Sequence, residues 1–198
     1  MAVKVLYGML NNINLSEAMR YLGYTKDSQP TEEVKNLVAE LACDVLAVQD
    51  LRVCYDVFDI SIEGSALDLG FAKVNSNSLA KNLSGCKKIV LFACTAGAGI
   101  DRMLVKCSRL APSKYAVVQA LGAALAEDWC DDICARLSKE YGELKPRFSC
   151  GYGDLDLSLQ RDIFTALSVT KNIGITLSDN LFMTPTKSVT AIVGIVEN

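Results

Sequence analysis

Pro112 and Ser113 open the longest helix that the sequence predicts, about residues 114–141. At 1.5 Å per residue it is a rod about 42 Å long, along which the rest of the chain has to pack. Val118, Leu121, Leu125, Trp129, Ile133 and Leu137 recur at helical spacing and form its apolar stripe. Another face carries Ala120, Ala123, Ala124, Cys130 and Cys134, all small, so a second element can approach closely there. Glu127 lies within that small-residue face. A carboxylate in such a place either pairs or reaches solvent, or it points into a cavity and binds a cation or a hydroxyl group.

Elements of other types flank this rod. NLSEAMRYLGY (14–24) reads as a short helix closed by Gly23. Thr31 is a candidate N-cap, with Glu32 and Glu33 in the first turn, for a helix running to about Val48. LRVCYDVFDISIE (51–63) is rich in β-branched and aromatic residues and reads as one strand. GFAKVN reads as a short second strand and SLAKNLSG as a short helix ended by Ser84 and Gly85. KKIVLFACT (87–95) is a buried strand, and TAGAGID turns it into a helix over 100–109. That glycine turn lacks the third glycine of the dinucleotide fingerprint, Arg102 standing there, and reads as a tight turn rather than a phosphate site. A helix over 157–168 follows, and then NIGITLS, NLFMT and KSVTAIVGIVE (187–197) as extended segments. This irregular order predicts a single α+β domain over 1–198, with a mixed or antiparallel sheet and long helices packed on it.

Histidine is absent. That removes histidine general bases, Ser-His and Cys-His nucleophile pairs, and the commonest metal ligand. The net charge is −3 with scattered basic residues, unlike the basic stripe of a nucleic-acid binder. No apolar run is long enough to span a membrane, and MAVKVLYGMLNN has no signal-peptide core, so the expected compartment is the cytoplasm. The eight cysteines form no CxxC pair and read as reduced, mostly buried small residues.

The stretch RFSCGYGDLDLSLQ (147–160) concentrates polar chemistry around two glycines. Arg147 offers a planar fork for a carboxylate or phosphate. Tyr152, bracketed by Gly151 and Gly153, offers a ring face for a ring or cation. Asp154 and Asp156 suit an ammonium or hydroxyl, and Asp156 equally suits capping the helix that follows. The stretch is either a polar loop between helices or the rim of a pocket for a small zwitterion with an aromatic group.

RFSCGY followed by a helix, then IGITLSDNLFMTPTKSVTAIVG, resembles the activation domain of cobalamin-dependent methionine synthase. That family carries R-x-x-x-G-Y, a helix, an I-G-[VI]-x-L-T/S stretch and an M-x-P-x-x-S-V segment. Here these are Arg147 to Tyr152, Ile173 to Ser178 and Met183 to Val189, with Ala126-Glu127 at the matching distance upstream. The resemblance covers most of the chain, with specific motifs in residues 126–194.

The resemblance implies a C-shaped, helmet-like α+β domain that binds S-adenosylmethionine. Acting as a free-standing reactivation subunit, it would support reductive methylation of cob(II)alamin on a separate cobalamin-binding methionine synthase subunit. A flavodoxin-like or other donor would supply the electron. Arg147 would hold the methionine carboxylate, Ser149 and Gly151 would offer backbone contacts, Tyr152 would line the pocket, and Glu127 would touch a polar part of the ligand. The resemblance assigns no catalytic residue and no protein-bound metal, because the cofactor does the chemistry. The alternatives are a corrinoid-docking protein of the same fold without S-adenosylmethionine binding, and a hydrolase or isomerase using Cys94, Cys150 or the aspartates.

Overall fold

The computed structural model describes residues 2–196. Strand β1 (Lys4–Gly8) is followed by helices α1 (Leu15–Tyr21) and α2 (Glu32–Ala47). Then come strand β2 (Leu51–Asp59), short strands β3 (Ser61–Glu63), β4 (Ala66–Asp68) and β5 (Lys73–Asn75), helix α3 (Asn77–Asn82) and strand β6 (Cys86–Thr95). Helices α4 (Ala98–Leu110) and α5 (Pro112–Tyr141) lead through a long loop to α6 (Gln160–Ala166) and α7 (Val169–Ile173). Strands β7 (Thr176–Leu177), β8 (Met183–Thr184) and β9 (Ser188–Val196) close the described chain.

The central sheet has the order β1-β2-β6-β9, and every neighbouring pair is antiparallel. Alternation along the strands sorts side chains onto two covered faces. Val53, Tyr55, Val90, Phe92, Cys94, Ala191 and Val193 pack with α1, α2, α4 and α5. Cys54, Ile89, Leu91, Ala93 and Ile192 pack with α3, α6, α7 and the three-stranded sheet β3-β4-β5. Because both faces are covered, β6 has a near-continuous apolar run instead of an alternating one. The α+β class with an antiparallel sheet and long helices is therefore the observed architecture.

Helix α5 starts two residues earlier than its spacing predicts, with Pro112 in the first turn, where its missing N–H costs nothing. All six stripe residues from Val118 to Leu137 are buried. Thr31 caps α2 as expected, its hydroxyl accepting from the Val34 N–H.

Several elements differ from the sequence reading. Strand 51–63 is broken at Ile60, whose N–H turns to the Lys87 carbonyl, and β3 then leaves the main sheet. It pairs with β4 across a Gly64-Ser65 turn, Gly64 at φ 63° supplying the positive torsion of a Gly-first hairpin turn. Strand β1 was not predicted. The 157–168 helix is a 3-10 turn followed by α6, and Asn172 and Ile173 are helical rather than extended. Val169 and Ile173, four apart and buried, hold α7 to the core, and Gly174 in the left-handed region ends it. The end of the predicted strand at Glu197 lies outside the described residues.

In the turn after β6, the Gly97 N–H is held by the Thr95 hydroxyl at 3.0 Å. A Cβ on Gly99 would come within 2.2 Å of the Val48 carbonyl. These glycines serve close packing of α4 on the end of α2.

Candidate functional site

Gly142 at φ 87° ends α5 and sends the chain back along the outer edge of β9. The Lys145 N–H donates to the Gly194 carbonyl at 2.8 Å, and Phe148 and Ile192 exchange bonds of 2.9 and 2.8 Å. Residues 143–148 thus cover the free edge of the sheet and carry Arg147 to the flank of α5.

There Arg147 Nη2 donates to Glu127 Oε2 at 2.8 Å and lies 3.0 Å from Asp131 Oδ1. Both acids come from α5, one turn apart, so they share a face. The side-chain exposures are 24% for Arg147, 43% for Glu127 and 74% for Asp131. Arg147 Nη1 is buried and has no hydrogen-bond partner among the described residues. A groove of about 660 Å³ opens beside it, lined among others by Arg147, Asp131, Cys134 and Pro146. A second of about 440 Å³, lined by Leu10, Asn12, Asn14, Asp128 and Asp131, meets the first at Asp131.

Helix α1 closes the other side. The Asn14 N–H donates to Asp128 Oδ2 at 2.7 Å, tying the start of α1 to α5. Burial raises the Tyr21 hydroxyl above its ordinary value, with Glu127 and Glu17 adding to it. Burial also raises the Asp131 carboxyl, helped by the charges of Glu127, Asp128 and Glu17. The site therefore holds Arg147 among several acids, with Arg20 paired to Glu17 on the α1 side, which suits a ligand carrying both a carboxylate and a positive charge.

Of the residues singled out in the sequence, the fold brings Arg147 and Glu127 into direct contact. The Ser149 hydroxyl turns inward and donates to the Thr190 carbonyl at 2.8 Å. The Gly151 N–H donates to the Leu155 carbonyl at 2.9 Å, and the Tyr152 N–H to the Ser149 carbonyl at 3.2 Å. Tyr152 is 68% exposed, its ring set edgewise on Phe148 with centroids 6.4 Å apart. Asp131 was missed. Its only signal is a position four residues after Glu127 on the predicted helix.

Asp154 and Asp156 are caps. Asp156 accepts from the Ser158 N–H at 2.7 Å, opening the 3-10 turn Leu157–Leu159. Asp154 reaches across to the start of α3, where the Ser76 hydroxyl and the Asn77 and Ser78 N–H groups donate to it. The Ser76 hydroxyl, then those N–H groups, hold its carboxyl well below the usual 3.8. A depressed folded-state pKa contributes stability above the unfolded value and loses it as pH falls through the folded one. Asp154→Asn is thus expected to make thermal unfolding less pH-dependent below about pH 4, which calorimetric melting from pH 7 to pH 2 measures. An unchanged acid limb would exclude Asp154 from this role.

The cysteines lack the character of nucleophiles. Burial pushes the Cys94 and Cys150 thiols up to about 12, leaving a negligible thiolate fraction at neutral pH. Cys94 Sγ lies 3.5 Å from Cys130 Sγ, both in the core. Among the described residues no group of three or more histidine, cysteine, aspartate or glutamate side chains could hold a metal ion. Among them, too, no helix is long and apolar enough to cross a membrane.

No protein-family model and no curated protein matches the sequence. Among solved structures the chain is similar to a crystal structure of the MetH reactivation domain bound to AdoHcy, S-adenosylhomocysteine. The TM-score is 0.76 at 16% identity, over 98% of this chain and 78% of that one. At that identity the likeness establishes the fold: this α+β chain has the fold of the MetH reactivation domain.

Proposed function

We propose that the chain binds S-adenosylmethionine at the Arg147–Glu127 site and acts as a separate reactivation subunit for a cobalamin-dependent methionine synthase. The observation that carries this reading is the buried, unpartnered Nη1 of Arg147, beside a groove and one bond away from Glu127. A buried guanidinium nitrogen without a partner keeps a donor in reserve that a carboxylate would take up, and Glu127 beside it matches an α-ammonium. The amino-acid end of S-adenosylmethionine presents both. The resemblance of Arg147 to Tyr152 to the family motif, and the shared fold of a domain solved with S-adenosylhomocysteine, support the same ligand.

The residues divide the work. Arg147 binds and orients the amino-acid end. Ser149, Gly151 and Tyr152 line neither groove at Arg147, being held by internal bonds and by Phe148, so a contact of Tyr152 with the adenosine or sulfonium rests on the family motif alone. When bound, S-adenosylmethionine supplies a methyl group, which the reduced corrinoid of the partner accepts. The contribution of this chain is to hold the donor in place, so it needs no acid, base or nucleophile of its own. The reading carries with it a cobalamin-binding partner subunit and an electron donor, flavodoxin-like or other.

Titration calorimetry with S-adenosylhomocysteine and S-adenosylmethionine tests the first half. One site per chain is expected. Absence of heat at millimolar ligand would sink this reading and leave a corrinoid-docking protein of the same fold. Reconstitution with a cobalamin-binding subunit, a reductant and S-adenosylmethionine tests the second half.

A further inference from the structure

We infer that Asp131 occupies the place on Arg147 that the carboxylate of the ligand takes, and that binding proceeds by exchange of one carboxylate for the other while Glu127 stays. The inference rests on the ligand proposed above and adds a residue that determines its affinity.

The two acids on Arg147 are not equivalent. Both reach the same nitrogen, Nη2, at 2.8 Å for Glu127 and 3.0 Å for Asp131. Only the Glu127 contact has the alignment of a hydrogen bond. Asp131 is in ion-pair range without that alignment, and its side chain is 74% exposed. It can swing into water with little loss, since exposed ion pairs are weak. Glu127 is more enclosed and better aligned.

The surroundings push in the same direction. Asp131 faces Glu127 and Asp128 on its own helix and Glu17 on α1, with Arg147 as the facing cation from the 143–148 segment. Partial desolvation and those three acids raise its carboxyl and weaken its hold on Arg147 without reversing it. Asp131 also stands where the two grooves meet, so an entering ligand passes it. Once it leaves, Nη2 and the unpartnered Nη1 together form a fork for an incoming carboxylate. The α-ammonium of the ligand then meets Glu127.

The inference makes an unusual demand: removing an acid from this acidic site must tighten the binding of a ligand that carries a cation. Asp131→Asn is expected to bind S-adenosylhomocysteine about two- to fivefold more tightly than the natural chain, the range of an exposed ion pair converted to affinity. Methylthioadenosine, which lacks the amino-acid end, should bind both forms equally. Thermal melting should show Asp131→Asn folded and marginally less stable than the natural chain, because the ion pair it lacks is the one that the ligand otherwise has to break. Equal or weaker binding by Asp131→Asn, with the natural chain binding normally, overturns the exchange and leaves the site itself standing. Equal tightening for methylthioadenosine overturns it as well, since the gain would then not come from the carboxylate. If neither form binds S-adenosylhomocysteine at millimolar concentration, the site reading and the exchange fall together.

Discussion

Trp129→Ala is expected to lower the unfolding free energy by about 3–5 kcal/mol, the range for deleting a large buried aromatic side chain. Trp129 is fully buried in the middle of α5. Its ring lies on the backbone of Gly8, where an added Cβ would come within 2.4 Å of ring carbons. Its Nε1 donates to the Arg52 carbonyl at 3.2 Å, and the Arg136 guanidinium stands 5.4 Å from the ring. One side chain thus joins α5 to β1 and β2. A domain of ordinary stability has about 5–15 kcal/mol in total, so the loss brings the variant near its folding threshold. Urea unfolding followed by far-ultraviolet circular dichroism measures it, because Trp129 is the only tryptophan and its fluorescence disappears with it. Trp129→Phe should lose less, retaining most of the apolar area but not the hydrogen bond to Arg52. A loss under about 1 kcal/mol for alanine would mean that the ring is not the tie described.

Arg147→Ala is expected to weaken S-adenosylhomocysteine binding at least about 100-fold. Hydrogen bonds to charged groups contribute about 1.5–3 kcal/mol each, and the fork donates two. Together they amount to about 3 kcal/mol or more, which is a factor above 100. Arg147→Lys should recover less than about tenfold of this, because an ammonium restores the charge but not the planar pair of donors. Stability should change little. Glu127 and Asp131 are left as a like-charged pair one turn apart on a partly exposed helix face, a cost of a few tenths of a kcal/mol. Calorimetric titration of folded variants therefore reads ligand contact rather than folding. Normal affinity in Arg147→Ala would remove the carboxylate anchor from the proposal.

Much of the framework is legible in the sequence because burial and periodicity coincide. The stripe from Val118 to Leu137, the apolar run of β6 and the Thr31 cap all depend on local spacing. Strand β1 escaped for the opposite reason. Lys4–Gly8 is half-exposed, and Gly8 reads as a breaker although it is there to make room for Trp129. Helix α7 has five residues, too few for helical spacing to separate it from an extended segment. At the site, Arg147 to Tyr152 is a contiguous motif and is visible in one dimension. Its partner Asp131 is not, since an acid on a helix face reads as solvated until the 143–148 segment is known to lie alongside. Asp154 shows the same limit. Its three donors belong to residues 76–78, which no local pattern connects to it.

The edge position of residues 143–148 has a dynamic consequence. The central strands are paired on both sides and covered on both faces, so they can separate only when the whole domain unfolds. The segment that carries Arg147 has a backbone ladder on one side only, to β9, and is otherwise held by side chains: Arg147 to α5, and the Asn82 amide to the Pro146 carbonyl. Opening it costs those side-chain ties and the packing of Leu144 and Phe148 at the core margins, but no strand pair of the central sheet, so it opens at a fraction of the global unfolding free energy. The cation of the proposed site thus sits on the margin of the sheet and its carboxylates on the long helix anchored in the core, so the distance between them changes with the margin and not with the core.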